Sequence, residues 1–358
     1  MKKINFNFRK TALVVLLAVA VASSYAEEYF VPGVSAKPVD KKADKCVVKV
    51  MDFFAQTYGQ KIISGQMDLT WKDSVDMTKR VFDVTGKYPA LMGYDFMNYT
   101  VGKGDGTKQV QEAIDWWNKG GLVAFCWHWR DPNRNGGYGE FYSDKTKFRI
   151  PYDIETKGLK KDSKDLEAIN KCLDKIAVQL KKLEDNNVPV LWRPLHEASG
   201  GWFWWGASGS NAYIALYKYM FNYFTNVKGI HNLIWVWNGQ DKDWYPGDEY
   251  VDIIGTDIYS NTHGSFLDEF NKCWEMSDSP EEKPKMIALT ENGRMPIPKE
   301  LQDDYVYWLW FMTWNDANNE GTQKDNFWSG EFFNTDKFKK EVYNSDYVIT
   351  LDEMPELK

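Results

Sequence analysis

Apolar runs rich in branched and aromatic residues recur along the chain, and each gives way to polar loop residues. Short runs of this kind, bounded by turn residues, are typical of buried β-strands. Eight of them occur in chain order: Lys61–Gln66, Pro89–Tyr94, Leu122–Trp127, Val188–Pro194, Asn232–Trp237, Val251–Thr256, Lys285–Thr290 and Tyr305–Met312. The pattern therefore predicts eight strands.

Stretches with helical spacing separate most of these runs. Gly120 and Gly121 follow the first such stretch, and glycine is a common stop signal at the end of a helix. The predicted helices are Gln109–Lys119, Asp165–Asn187, Asn211–Asn226 and Ser265–Met276, with another around Lys45–Thr57 before the first strand. The chain also has room for one last helix after the eighth strand.

Eight strands that alternate with helices over about 250 residues are typical of a (β/α)8 TIM barrel, an α/β fold. The alternative is a doubly wound open sheet, which has fewer strands and often a glycine-rich phosphate-binding turn. Neither G-x-G-x-x-G nor G-x-x-x-x-G-K-[ST] occurs at a strand-to-helix turn of this chain, which disfavours nucleotide binding. We therefore predict a single barrel whose first helix, around Lys45–Thr57, closes the bottom.

The first 26 residues have the pattern of a secretory signal peptide. Basic residues at positions 2, 3, 9 and 10 precede an apolar stretch at Thr11–Ala22, and a small-x-small cleavage site ends at Ala26. The apolar stretch is shorter than the roughly 20 residues that a membrane span needs. We predict a signal peptide at residues 1–26, one catalytic domain at residues 27–358, and a secreted or periplasmic protein.

Charge and composition narrow the possible partners. Removal of the predicted signal peptide takes away four cations and no acid, which changes the net charge from −7 to −11. An acidic chain does not suit nucleic acids or anionic membrane surfaces. The four cysteines and four histidines show no zinc-ligand spacing, and Cys126, inside an apolar run, is predicted to be a buried free thiol. Aromatic residues make up 16% of the chain, with 17 tryptophans, and indole rings stack on the apolar faces of sugars.

Two glutamates stand where predicted strands end: Glu197 just past strand four and Glu291 just past strand seven. Burial of an unpaired carboxylate is costly, so packing does not explain them. Active sites of these barrels lie at the carboxyl ends of the strands, where strands four and seven face each other across the mouth. The sequence thus predicts two carboxylates in one cleft, the arrangement used in glycoside hydrolysis. The long connection Arg130–Lys164 is predicted to form a structured loop on the same face.

Two strings carry a resemblance to a known family. Arg193 to Gly206 reads R-P-L-H-E-x-x-G-x-W-F-W-W-G, and Leu289 to Gly293 reads L-T-E-N-G. The first resembles the acid/base signature of glycoside hydrolase family 26, and the second resembles the nucleophile strand of that family. His196 stands before the acid/base glutamate, where most enzymes of the wider retaining clan carry asparagine. The similarity runs in order from about Ile63 to Trp314.

The resemblance implies roles for individual residues. Glu197 matches the general acid/base and Glu291 the nucleophile, while Tyr259 resembles the tyrosine that hydrogen-bonds the nucleophile. Arg193 is four residues before Glu197, so on a strand it would point to the same side, and we expect it to pair with Glu291. The other matches are substrate contacts: His128, His196, Trp202, Asp257 and Trp314. For each of these contacts, and for Arg193 and Tyr259, a structural role remains the alternative. Phe203, Trp204 and Trp205 look more like scaffold.

The predicted function is that of a secreted, retaining endo-β-1,4-mannanase acting on a plant β-mannan. We expect a monomer that requires no metal ion or organic cofactor. Three alternatives remain open: a related enzyme acting on β-1,3-xylan or mixed-linkage β-glucan, an exo-acting enzyme that releases mannobiose, and a non-catalytic polysaccharide-binding protein.

Overall fold

A closed barrel of parallel strands forms the centre of the structure, a computed structural model that describes residues 34–101, 107–133, 139–280, 284–316 and 326–358. Each strand hydrogen-bonds the next, and the last strand returns to the first. The eight barrel strands are β1 Ile62–Met67, β2 Leu91–Asp95, β3 Leu122–Cys126, β4 Val190–Arg193, β5 Leu233–Trp237, β6 Ile253–Ile258, β7 Met286–Asn292 and β8 Trp308–Thr313. Every predicted run overlaps one of these strands, and the predicted (β/α)8 fold is confirmed.

The helices surround this barrel. They are α1 Lys45–Thr57, α2 Met77–Thr85, α3 Gln109–Asn118, α4 Lys164–Asp185, α5 Ser210–Asn222, α6 Leu267–Trp274, α7 Pro298–Asp303 and α8 Asp336–Tyr343. Helix α1 has its predicted bounds, and α5 continues as one π-helical turn at Tyr223–Val227. The short helices α2 and α7 escaped prediction, because nine and six residues carry little periodic signal. Between β5 and β6 the chain forms only two 3₁₀ turns, Lys242–Trp244 and Asp248–Tyr250.

The core explains most of the tryptophan content. Ten of the 17 tryptophans have less than 2% of their surface exposed, and all ten belong to the hydrophobic core. At the bottom, the two-residue strand Val348–Ile349 pairs with Ile62 and Ile63 at the start of β1. The high tryptophan content therefore reflects chiefly the packing of the core, and only a few tryptophans remain available to a ligand.

Strand β7 differs from its prediction where it matters for the site. The apolar run ends at Thr290, but pairing with β6 continues through Asp257↔Glu291 to Asn292. Glu291 therefore lies inside the strand rather than just past it, because the barrel mouth shelters polar side chains that still pair through their backbones. A register shift between Thr256 and Asp257 marks a bulge at Thr290, a device that re-aims side chains near active sites.

The long connection Arg130–Lys164 lies on the catalytic face of the barrel, as predicted. Its Tyr142 bridges Phe203, and the backbone N–H of Ser143 donates to the carbonyl of Trp202 at 2.7 Å. A two-residue antiparallel pair joins Tyr152–Asp153 to Gly158–Leu159. Residues 134–138 of this connection lie outside the described residues.

Two other sequence predictions concern the signal peptide and Cys126. The predicted signal peptide, residues 1–26, lies outside the described residues, so it and the boundary at residue 27 stay predictions. Within the described part of the chain, no helix is both long and apolar enough to cross a membrane. Cys126 is a buried free thiol, as predicted.

Candidate active site

The turn after β4 holds Glu197 in an unusual backbone conformation. Leu195 and Glu197 have φ angles of 55° and 54°, a left-handed region that costs energy for residues with a side chain and is frequent at functional sites. The backbone N–H of Glu197 donates to the carbonyl of Asn238 at 2.7 Å and to its side-chain Oδ1 at 3.0 Å. The spacing along the sequence predicts an extended strand from Arg193 to Glu197 that would point both side chains to the same side. This expectation is wrong, because the strand ends at Arg193. The turn, fixed by Asn238, aims Glu197 into the cleft instead.

Three carboxylates meet at the barrel mouth. Glu197, Asp257 and Glu291 each place an oxygen within 4.8 Å of an oxygen of the other two. Asp257 comes from the end of β6, between the strands that supply the glutamates. Such spacing could hold a divalent cation, but Arg193 already pairs with two of the three groups. The geometry thus brings the two predicted acids side by side in one open cleft.

Both oxygens of Glu291 accept hydrogen bonds. Arg193 donates through Nη2 to Oε1 of Glu291 and through Nη1 to Asp257 at 2.9 Å. The hydroxyl of Tyr259 donates to Oε2 of Glu291 at 2.6 Å. A charged donor such as Arg193 and a neutral hydroxyl donor such as Tyr259 both orient a carboxylate and favour its ionised form.

A network that the sequence did not reveal supports these groups from below. The side chain of Asn238 donates to Asp257 at 2.8 Å and to Thr290 at 2.6 Å, while the Thr290 hydroxyl donates to Asp257 at 2.7 Å. Gly255 leaves room for it, because a Cβ there would lie 2.5 Å from the Thr290 side chain. Asn238 directly follows a predicted strand, as Glu197 nearly does, and that position could have marked it.

The pKa values of both glutamates are raised, and the two groups are coupled. Burial, and then the charge of Asp257, raises the pKa of Glu197 to about 7 and that of Glu291 to about 8, with Arg193 opposing in both cases. Burial alone would leave the proton on Glu291, which is the more enclosed. The donors favour a proton on Glu197, because both oxygens of Glu291 accept from Arg193 and Tyr259, whereas a protonated Glu197 can donate to Asp257. The pair therefore titrates in two coupled steps.

Replacement of Asp257 by asparagine is expected to shift the pH profile of activity toward lower pH. The charge of Asp257 raises the pKa of both glutamates, so its removal lowers both pKa values. A general acid loses its proton as pH rises through its pKa, so the alkaline limb of kcat/KM moves to lower pH. The acidic limb, where the nucleophile becomes protonated, moves in the same direction. A profile that stays in place would contradict the assigned role of Asp257.

Trp202 is half-exposed and lies against Glu197. Its indole N–H donates to Oε2 of Glu197 at 2.9 Å, and 45% of its surface is open to solvent. Its ring lies over Gly200, where a Cβ would come within 2.0–2.4 Å of ring atoms. The ring is thus held at the mouth of the cleft, with one face available to a ligand.

Replacement of Trp202 by phenylalanine is expected to move only the alkaline limb, and to higher pH. The indole N–H stabilises the ionised form of Glu197 and so lowers its pKa. Phenylalanine keeps a ring but removes this donor, so Glu197 holds its proton to higher pH. A pH series of kcat/KM on a soluble substrate measures the shift. The alkaline limb is thus expected to move to higher pH in Trp202→Phe and to lower pH in Asp257→Asn. A shift of this limb in the same direction in both variants would contradict this prediction.

Two histidines and a tryptophan form the other wall of the cleft. Nε2 of His196 lies 3.4 Å from Nε2 of His128, and the ring of Trp314 lies 6.1 Å from that of His128. Asp95, at the end of β2, accepts from Nδ1 of His128 at 2.6 Å. Burial lowers the pKa of His196 well below its usual range, so His196 is neutral. Asp95 was not predicted, because its partner lies 33 residues away along the chain.

All nine predicted site residues lie at the carboxyl ends of the strands or in the loops that follow them. Those that contact one another include Arg193, Asp257, Tyr259 and Glu291, and the pair His128–His196. Phe203, Trp204 and Trp205 are at most 4% exposed, as expected for scaffold. The chemical roles of the nine residues stay predictions.

A parallel eight-stranded barrel with two carboxylates close together, one after β4 and one at the end of β7, is an arrangement that barrel glycosidases use. Residues 39–353 match the family model described as "Glycosyl hydrolase family 26". The match covers most of the chain, and the chain belongs to glycosyl hydrolase family 26.

Individual relatives in sequence support the same family. A mannan endo-1,4-beta-mannosidase of Thermothelomyces thermophilus is 40% identical over 321 residues, which cover 87% of this chain and 62% of that protein. Two Piromyces sp. proteins named mannan endo-1,4-beta-mannosidase A and B are 34% and 33% identical, each over 88% of this chain. The chain spans only 50% and 53% of their lengths.

Solved structures show the same fold. A Podospora anserina GH26-CBM35 β-(1,4)-mannanase superposes with a TM-score of 0.79 at 36% identity, over 91% of this chain and 70% of that one. A β-mannanase from a symbiotic protist of the termite Reticulitermes speratus, complexed with a gluco-manno-oligosaccharide, gives 0.75 at 36% identity, over 90% and 98%.

Proposed function

We propose that this protein is a retaining endo-β-1,4-mannanase. The observation that carries the proposal is the separation of the two carboxylates, whose oxygens approach within 4.8 Å. Retaining glycosidases hold their carboxyl groups about 5–5.5 Å apart, whereas inverting enzymes need about 6.5–9.5 Å to admit a water molecule between them. The short separation favours attack by one carboxylate on the sugar itself.

In the first step, Glu291 attacks the anomeric carbon while Glu197 gives its proton to the departing glycosidic oxygen. The glycosidic bond breaks, and a covalent glycosyl-enzyme forms. In the second step, the ionised Glu197 takes a proton from water, and the water oxygen replaces Glu291 at the anomeric carbon. Each step inverts the anomeric carbon, so the two steps together retain the β-configuration, and neither uses a metal ion or an organic cofactor.

The surrounding residues suit these two steps. Arg193 and Tyr259 keep Glu291 ionised and oriented. Trp314, His128 and His196 form one wall for the sugar before the cleaved bond, and Trp202 offers a ring face beside Glu197. The relatives named as mannan endo-1,4-beta-mannosidases, and the termite-protist enzyme bound to a gluco-manno-oligosaccharide, support a mannan-type substrate.

The test compares release of reducing ends from mannan, glucomannan, β-1,3-xylan and mixed-linkage β-glucan. We expect mannan and glucomannan to be cleaved fastest, with a mixture of oligosaccharides at early times and β-configured new ends in proton NMR. Release of mannobiose alone would replace endo action with exo action. Faster cleavage of xylan or mixed-linkage glucan would overturn the proposed substrate. New ends in the α-configuration would overturn the retaining mechanism. Binding of mannan without any cleavage would overturn the proposal that the protein is an enzyme.

Export is a separate proposal. Residues 1–26 have the three regions of a signal peptide, and we propose a secreted or periplasmic monomer that starts near Glu27. N-terminal sequencing of the exported protein and its sedimentation mass test this directly. An intact N-terminus on the exported chain would contradict the cleavage, and a dimer mass would contradict the monomer.

A further inference from the structure

The pair of histidines in the cleft has the geometry of a metal site. Their Nε2 atoms face each other at 3.4 Å, with ring planes 77° apart. Two imidazoles bound to one tetrahedral Zn²⁺ at about 2.0–2.1 Å have their nitrogens about 3.3 Å apart. The observed separation is long for a strong hydrogen bond and fits a shared ion with little movement of either ring.

The hydrogen bonds of His128 to Asp95 also fit a metal site. His128 donates its other ring nitrogen, Nδ1, to Asp95 at 2.6 Å, and Asp95 is fixed in turn by the backbone N–H groups of Met97 and His128. A carboxylate that accepts from the far nitrogen of a ligand histidine is the usual outer support of protein zinc sites, because it fixes the tautomer and raises the basicity of the ligand. Nε2 of His128 thereby keeps its lone pair toward His196.

His196 can also offer its Nε2 lone pair. Its Nδ1 is buried and has no hydrogen-bond partner among the described residues, and without an ion its Nε2–H faces the bare Nε2 of His128 at 3.4 Å, which is a long and weak hydrogen bond. The proton can move to Nδ1 when an ion takes Nε2. Arg193, whose charge reaches His196, is paired with Asp257 and Glu291, which reduces its repulsion of a cation.

We propose that Nε2 of His128 and Nε2 of His196 bind one Zn²⁺ or a similar borderline transition-metal ion, with Asp95 as outer support, when the cleft holds no sugar. Water would fill the remaining positions of the ion, and 12% of the His128 side chain is exposed to solvent. Two protein ligands make a site that is occupied reversibly. The ion excludes the sugar that the same wall binds, so the metal is an inhibitor. The inhibition rests on the proposed function, whereas the metal binding does not.

Calorimetric titration of the full chain with Zn²⁺ alone tests the site, with Co²⁺ absorbance as a second readout. We expect one ion per chain, loss of binding in His128→Ala and His196→Ala, and affinity weakened about 10–100-fold in Asp95→Asn. His231→Ala is the matched control, because His231 also pairs through Nδ1 with a carboxylate, that of Asp40 at 2.7 Å, at the other end of the barrel. Equal loss in His231→Ala, or full binding in His196→Ala, would overturn the assignment.

A neighbouring trio provides the sharpest competing location. Asp95, Cys126 and His128 also place ligand atoms within 4.8 Å of one another. Cys126→Ser is expected to bind Zn²⁺ as the natural chain does. Loss of binding in Cys126→Ser with retention in His196→Ala would place the ion on that trio and refute the two-histidine site.

Competition with sugar locates the ion without any change to the histidines. In the Glu291→Gln variant, mannotriose is expected to raise the apparent Kd for Zn²⁺ in proportion to its concentration. Unchanged Zn²⁺ affinity while mannotriose binds would exclude the ion from the cleft. Failure of mannotriose itself to bind would count against the proposed function, and the zinc titrations of the histidine variants would still decide the metal site.

Discussion

Replacement of Glu291 by alanine is expected to lower mannan hydrolysis by about 10⁴-fold or more, because it removes the group that forms the covalent intermediate. Asp257 lies nearby, but its oxygens already accept from Arg193, Asn238 and Thr290, so we do not expect it to replace the nucleophile. Sugar binding should persist, because Trp314, His128 and His196 remain. Rates of reducing-end release, paired with calorimetry on mannotriose, separate the two quantities.

Chemical rescue makes this prediction specific. Azide is small enough to enter the space left by the side chain and attack the anomeric carbon from the same face. With an activated aryl β-mannobioside, the Glu291→Ala variant should yield an α-configured glycosyl azide, since only one displacement occurs. Glu275→Ala, an exposed glutamate outside the site, controls for handling of the variants and should keep full activity. A β-configured azide, or hydrolysis within tenfold of the natural chain, would end the assignment of Glu291 as nucleophile.

The sequence could predict the barrel because each strand is a local event. Runs such as Leu122–Trp127 can be recognised as strands from their composition alone. Few folds are compatible with eight such strands separated by helices. Glu197 and Glu291 could be predicted for the same reason: a carboxylate at the end of a buried run stands out against its neighbours. The fold then brings 197 and 291 together without any further information.

The supporting groups could not be predicted, because their partners are set by register. Asp95 meets His128 because β2 and β3 pair Asp95 with Cys126, and no local pattern fixes that alignment. Thr290 reaches Asp257 only through a bulge. The tryptophans show a similar limit: Trp202 is 45% exposed and Trp204 is fully buried, although they lie two residues apart in one aromatic string.

Replacement of Glu197 by alanine is expected to slow mannan hydrolysis by about 10²–10⁴-fold, with a pattern unlike that of Glu291→Ala. A polysaccharide leaving group needs the proton that Glu197 holds, whereas a dinitrophenolate leaves without one. The first step on a dinitrophenyl β-mannobioside should therefore stay fast. The second step should become limiting, because no base activates water, and the glycosyl-enzyme should accumulate.

Mass spectrometry of the quenched Glu197→Ala reaction is expected to show the chain with one covalently bound mannobiosyl group. Azide should speed turnover by attacking that intermediate and give a β-configured product, the opposite of the Glu291→Ala outcome. The raised pKa of Glu197, about 7, adds a further signature, since the alkaline limb of the kcat/KM profile should vanish in the variant. An unchanged alkaline limb, or equal losses on mannan and on the dinitrophenyl substrate, would assign the proton to another group and leave Glu197 a structural residue of the turn after β4.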